Sequence, residues 1–85
     1  MSRWDGIDEF TAVAEQASFS AAARRLGLST SAVSREIARL EDRLQTRLLH
    51  RTTRRVELTD AGRDFLSRCR RLIDERDEAL AAVQP

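Results

Sequence analysis

Apolar residues recur at three- and four-residue intervals along most of this chain, and the phase of the pattern breaks it into segments. Trp4, Ile7, Phe10, Val13, Ala14 and Ala17 mark one face of a helix over about residues 3–16. Ser2 or Asp5 can cap it. Ser2 is preferred, because it keeps Trp4 in the stripe; Gly6 then sits inside the first turns and weakens them by roughly 1 kcal/mol. Ser18 opens a short helix at 19–26, with Ala22, Ala23 and Leu26 facing inward. Val33, Ile37, Leu40 and Leu44 set the inward face of a third helix at about 30–44.

The join between the second and third helices carries the most information. Gly27 can take the left-handed conformation that ends a helix at no steric cost. Ser29 can cap the next helix by accepting a backbone N–H. Ala23 is small where the two helices would cross. This spacing predicts a helix-turn-helix, whose second helix is shaped for a DNA major groove.

Past Leu44 the period changes. Residues 48–51 and 55–58 predict a two-stranded hairpin, with Thr52-Thr53-Arg54 at its tip, although the tip lacks glycine. Thr59 then caps a long helix over about 60–83, with Ala61 and Gly62 small enough for close approach to the body. Phe65, Leu66, Cys69, Leu72, Ile73, Ala79, Leu80 and Val83 form its apolar stripe, interrupted by Arg76. The expected fold is therefore all-α with a small two-stranded β-wing: a winged helix-turn-helix over residues 1–58 and a long linker helix over 59–85.

Charge sharpens the picture. The net charge of +1 hides a strong segregation. Residues 1–23 carry a net −3 and residues 56–85 a net −2, whereas residues 24–55 hold nine Arg against Glu36, Glu41 and Asp42, a net +6. Such a patch steers an anionic partner to one surface. All fifteen basic residues are Arg. That reads first as genome composition, since Arg76, away from the expected DNA face, is Arg too.

The outward face of the third helix shows Thr30, Ser31, Ser34, Arg35, Arg39 and Arg43, with Ser29 as cap. Arg35 suits guanine or phosphate, the competing reading being an ion pair with Glu36 or Glu41. Thr30, Ser31 and Ser34 can touch base edges or serve as first-turn capping groups. Arg51, Thr52, Thr53, Arg54 and Arg55 gather on the wing and suit phosphate or minor-groove contact. His50 reads as a strand-face residue and Cys69 as a small core residue. A single Cys excludes an internal disulfide and fits a reducing cytosol. With no Cys/His cluster, glycine-rich phosphate loop or Ser/His/Asp set, no catalytic residue, metal or cofactor is expected. No apolar run reaches the ~18 residues of a membrane span, so a cytoplasmic protein is expected. A winged-helix module that binds protein instead of DNA is the alternative; the Arg cluster argues against it, since protein-binding faces carry apolar or aromatic anchors.

The chain resembles the N-terminal domain of LysR-type transcriptional regulators. The matching residues are Phe10, Val13-Ala14-Glu15, the run from Ser18 to Leu26, Leu28-Ser29, Ala32-Val33-Ser34-Arg35, Ile37, Leu40-Glu41, Leu44, Arg47-Leu48-Leu49, Arg51-Thr52, Leu58-Thr59 and Ala61-Gly62. The resemblance implies a winged helix-turn-helix on double-stranded DNA and a linker helix that dimerises antiparallel to its mate. It also implies an inducer-binding domain, absent from this chain, and full regulators that often form tetramers. Where the family often has Gln-Pro at the start of the third helix, this chain has Thr30-Ser31, whose contacts are shorter and less selective.

The linker helix has more apolar surface than a small domain can cover. Either a longer parent chain or a second copy is expected to cover it. Phe65, Cys69 and Leu72 lie nearest the body. Leu66, Ile73, Leu80 and Val83 are the expected homodimer contacts, with Leu80 approaching the mate's Leu66 or Ile73. Arg76 would pack its stem and meet Asp77 or Glu78 across the pair.

Overall fold

The computed structural model describes residues 4–50 and 55–85. Four helices follow in chain order: α1 (Ile7–Gln16), α2 (Phe19–Leu26), α3 (Thr30–Leu44) and α4 (Asp60–Ala82). The side chains that open α2, α3 and α4 do what the sequence expects. Ser18 Oγ accepts from Ala21 N at 3.1 Å, Ser29 Oγ from Ala32 N at 3.0 Å, and Thr59 Oγ1 from Gly62 N at 2.9 Å. At the α2–α3 turn Gly27 is left-handed at φ 68°, and Leu28 N donates to Ala23 O at 2.9 Å, closing the end of α2.

The start of α1 differs from the expectation. Gly6 is the N-cap, at φ 91°, and does not lie within the helix. Its N–H donates to Glu9 Oε1 at 3.1 Å. Residues 4–6 form a turn, so Trp4 is outside the helix and 36% exposed. The reason is contact with α3: a Cβ at Gly6 would lie 2.7 Å from Leu40 Cβ and 2.9 Å from Glu36 O. The chain needs glycine to pass there, and a left-handed residue cannot continue a helix. Ser2, the expected cap, lies outside the described residues.

The core is one cluster. Phe10 and Val13 of α1, Ala22 of α2, and Val33 and Ile37 of α3 meet Leu48, Leu49, Leu66 and Cys69 with almost no exposure. The Phe10 and Phe65 rings are tilted, 5.6 Å apart, where α1 meets α4. Burial pushes the Cys69 thiol above its ordinary pKa, against a smaller opposing effect of Thr11, so it packs as a neutral core group.

The expected wing falls partly within the described residues. Among the described residues there is no strand, only an isolated antiparallel bridge between Leu49 and Leu58, with His50 N donating to Glu57 O at 2.9 Å. Leu48 and Leu49 are core residues. Their N–H groups both donate to the buried Glu41 Oε2, at 2.7 and 3.2 Å, while Leu48 O accepts from Thr59 N at 3.0 Å. The bonds Thr59 N–H to Leu48 O and His50 N–H to Glu57 O are the two that make the bridge, and Glu41 takes the N–H groups of residues 48 and 49 beside it. Arg51, Thr52, Thr53 and Arg54 lie outside the described residues.

Of the three glycines, Gly62 makes the closest approach to a neighbour. A Cβ there would lie 2.1 Å from Leu48 O, so α4 presses its first turn directly onto the 47–49 segment. Thr59 Oγ1 adds a bond to Arg47 O at 2.7 Å. No helix of the described residues is long and apolar enough to cross a membrane.

Candidate nucleic-acid interface

α3 positions the expected reading residues through its buried side. Val33, Ile37 and Leu40 lock one face into the core, which turns Thr30, Ser31, Arg35, Ala38 and Arg39 outward and leaves Ser34 half-buried. Ser31, Arg35 and Ala38 therefore line up over two turns. Ser29 is engaged as the cap of the same helix.

Arg35 has no hydrogen bond or ion pair among the described residues. The acids that could have held it are taken. Glu36 Oε1 meets Arg39 Nη1 at 2.6 Å, and Glu41 is buried beneath the 48–49 segment, 3.5 Å from Arg47. Arg39, also expected to face DNA, is exposed but paired with Glu36. An exposed pair of this kind is worth 0–1 kcal/mol, so a phosphate can displace it at little cost.

Much of the positive charge of residues 24–55 is spent within the protein. Arg25 Nη1 pairs with Glu15 at 3.1 Å, and Arg43 donates to the Asp5 carbonyl. Arg55 is exposed beside the wing. Arg24 of α2 is exposed and has no ion pair among the described residues; the charge count contained it, but nothing local distinguished it from Arg25. Ala38 is exposed on the outward face of α3 as well. Its signal is position: it falls one turn after Arg35 on the outward face, where a small apolar group fits a thymine methyl.

The expected dimer residues divide. Leu66 is 8% exposed and belongs to the protomer's own core, because the close approach at Gly62 draws the first turns of α4 inward; it has little surface left for a mate. Ile73 is half-buried, while Leu80 and Val83 are 56% and 83% exposed. Leu72, expected against the body, is 44% exposed and lines an apolar groove with Trp4, Ala79 and Leu80. Arg76 also departs from expectation. Its guanidinium takes both oxygens of Asp8 of the same protomer, at 2.9 and 3.0 Å, and its Nε is 3.4 Å from Asp77 of the same helix. Asp8 pushes the Arg76 pKa up, so the group stays charged.

A profile described as "Bacterial regulatory helix-turn-helix protein, lysR family" matches residues 4–63. The chain belongs to the LysR family. It carries the DNA-binding helix-turn-helix domain of that family's transcriptional regulators, which are not enzymes. An HTH-type transcriptional regulator of Xanthomonas campestris pv. campestris (strain 8004) is 53% identical over 74 residues, covering 87% of this chain and 22% of the relative. The HTH-type transcriptional activator AaeR of Escherichia coli (strain K12) is 45% identical over 75 residues, covering 88% and 24%. The chain thus spans about a quarter of the length of these LysR-family relatives. Among solved structures, the DNA-binding domain of BenM with catB site 1 DNA superposes with a TM-score of 0.89 at 31% identity, covering 95% of this chain and 90% of that one. Corynebacterium glutamicum OxyR in its oxidized form gives a TM-score of 0.88 at 29% identity, covering 94% and 26%.

Proposed function

We propose that this LysR-family domain reads a two-half-site operator as a homodimer in the bacterial cytoplasm. α3 enters the major groove, where Arg35 takes guanine or phosphate and Thr30, Ser31 and Ser34 reach base edges. Ser29 and Arg39 hold phosphate at the flanks of the helix. Residues 48–58 form the wing, a two-stranded hairpin on DNA, and Arg51, Thr52, Thr53, Arg54 and Arg55 follow the backbone beside the groove. Residues 1–58 are the DNA-binding unit and 59–85 the linker, which pairs antiparallel with its mate through Ile73, Leu80 and Val83. In the full regulator a separate domain binds the inducer, and the assembly can be a tetramer.

The observation that carries this reading is Arg35: exposed on the outward face of α3 with its candidate acid partners engaged elsewhere. The fold's likeness to a BenM domain solved on DNA supports it. Selection of bound sequences from random DNA, followed by titration, tests it. A two-fold motif is expected. Log affinity is expected to fall by about 0.9 per phosphate neutralised for each unit of log salt. Arg35→Ala is expected to cost about 1–3 kcal/mol on the selected site and much less on scrambled DNA. Equal losses on both would make Arg35 a phosphate clamp and not a reader.

A further inference from the structure

α4 leaves the domain as a lever. Its root is held by Thr59 and Gly62 against residues 47–48, and Cys69 is its last fully buried side chain. α1 is the helix it packs against. Beyond Cys69, Ile73 is half-buried and the polar contacts that reach back to the body are ion pairs. Glu15 accepts from Arg70 Nε at 3.1 Å while its other oxygen holds Arg25 of α2. Further along, Arg76 grips Asp8 through two parallel hydrogen bonds, with its guanidinium 5.2 Å over the Trp4 ring.

Asp8 and Glu15 lie two turns apart on one face of α1, about 10 Å along its axis. One attachment would leave a pivot. Two attachments on separate turns define an angle, and the planar fork of Arg76 on a carboxylate is directional as well as attractive. The Arg76 and Asp8 side chains are only about one-third exposed, at 29% and 35%, so water competes with this pair less than with an open surface pair.

We infer that the Asp8–Arg76 and Glu15–Arg70 pairs fix the angle at which α4 leaves the helix-turn-helix body and thereby set the half-site spacing that the dimer accepts. The inference rests on the dimer proposed above. Its lever arithmetic is simple. From Gly62 to Arg76 α4 runs about 21 Å, so a tilt of about 5° moves its far end by about 2 Å. In a two-fold dimer both arms tilt, and the recognition helices shift relative to one another by about 3.5 Å, close to the ~3.4 Å rise of one base step. A few degrees at the clamp match the axial rise of one base step, and the DNA takes up the accompanying twist of about 34–36°.

The test uses this chain and duplexes carrying two copies of its selected half-site, with the spacer lengthened or shortened by one and two base pairs. The unmodified protein is expected to prefer one spacing by about tenfold over its neighbours, the scale of one mismatched position. Asp8→Asn with Glu15→Gln removes both carboxylate charges at nearly constant shape, away from the DNA face. It is expected to flatten that preference to about threefold or less, with affinity for a single half-site unchanged. The charge-reversed pair Asp8→Arg with Arg76→Asp is expected to restore the preference that Asp8→Arg alone loses, which separates geometry from a loss of fold. A variant that stays dimeric and keeps the original spacing profile overturns the clamp alone. A protein that is monomeric by light scattering overturns the dimer, and the clamp with it.

Discussion

Glu41 and Gly62 do more for the architecture than any residue on the DNA face. Glu41 is a buried carboxylate whose Oε2 accepts from two successive backbone N–H groups, so it holds the start of the wing against the end of α3. Gly62 lets the first turn of α4 lie on the same segment from the other side. The small size of residues 61–62 was legible in the sequence as room for close approach. Glu41 was not, because a Glu near the end of a charged helix reads as a solvated group. Its phase was the available signal: with Val33, Ile37 and Leu40 it completes the inward face of α3, whereas Leu44, expected on that face, is 42% exposed at the last turn. Gly62→Ala is expected to destabilise the domain by about 3 kcal/mol, because the obstacle is backbone and cannot rotate away. A urea titration that left the midpoint unchanged would show that α4 can lift without cost.

At the scale of the element, the helices opened by side-chain caps begin where expected and α1, α2 and α3 end where expected, while the start of α1 differs. α2 begins and ends where Ser18 and Gly27 imply, and α3 begins where Ser29 implies and ends at a left-handed Gln45. α1 begins later than its apolar stripe suggests, because Gly6 is needed for passage past Leu40. It ends at Ala17, which is left-handed at φ 53° without being glycine. That conformation crowds Cβ against the backbone and costs roughly 1–2 kcal/mol in L residues. Ala17→Gly relieves it and is expected to stabilise the domain by about 0.5–1 kcal/mol, read as a rise in melting temperature. A fall would mean that the Ala17 methyl contributes packing worth more than the strain. The wing is described only in part. The change of period past Leu44 read as a hairpin over 48–51 and 55–58; the described residues hold one bridge of it, Leu49 to Leu58, made by His50 N–H to Glu57 O and Thr59 N–H to Leu48 O, and residues 51–54 lie outside them.

At the scale of the molecule, the shape is an elongated one, 46 Å along its longest axis, with the far half of α4 exposed. Leu80 and Val83 are 56% and 83% exposed, and Leu80 lines an apolar groove with Leu72, Ala79 and Trp4. Ile73→Asp with Leu80→Asp is expected to turn a dimer into a monomer by light scattering and to abolish cooperative binding to two half-sites, while the helical signal persists. An unmodified protein already monomeric at high micromolar concentration would refute antiparallel pairing of α4. Leu66 is left out of that test, because its side chain serves the core of its own protomer.

The sequence by itself determined the helices and the turn between α2 and α3, because period, small residues and side-chain caps act within a few residues of chain. It also determined the face that α3 turns outward, since the positions that must be buried fix the positions that cannot be. Only the tertiary structure decided which charges are available. Arg25, Arg39, Arg70 and Arg76 look alike as letters, yet the first three meet acids at exposed sites and Arg76 is locked onto Asp8, sixty-eight residues away in the chain. Whether an arginine is held or left open, as Arg35 is, depends on which acid the packing of distant helices brings within a few ångströms, and that distance is written in no local pattern.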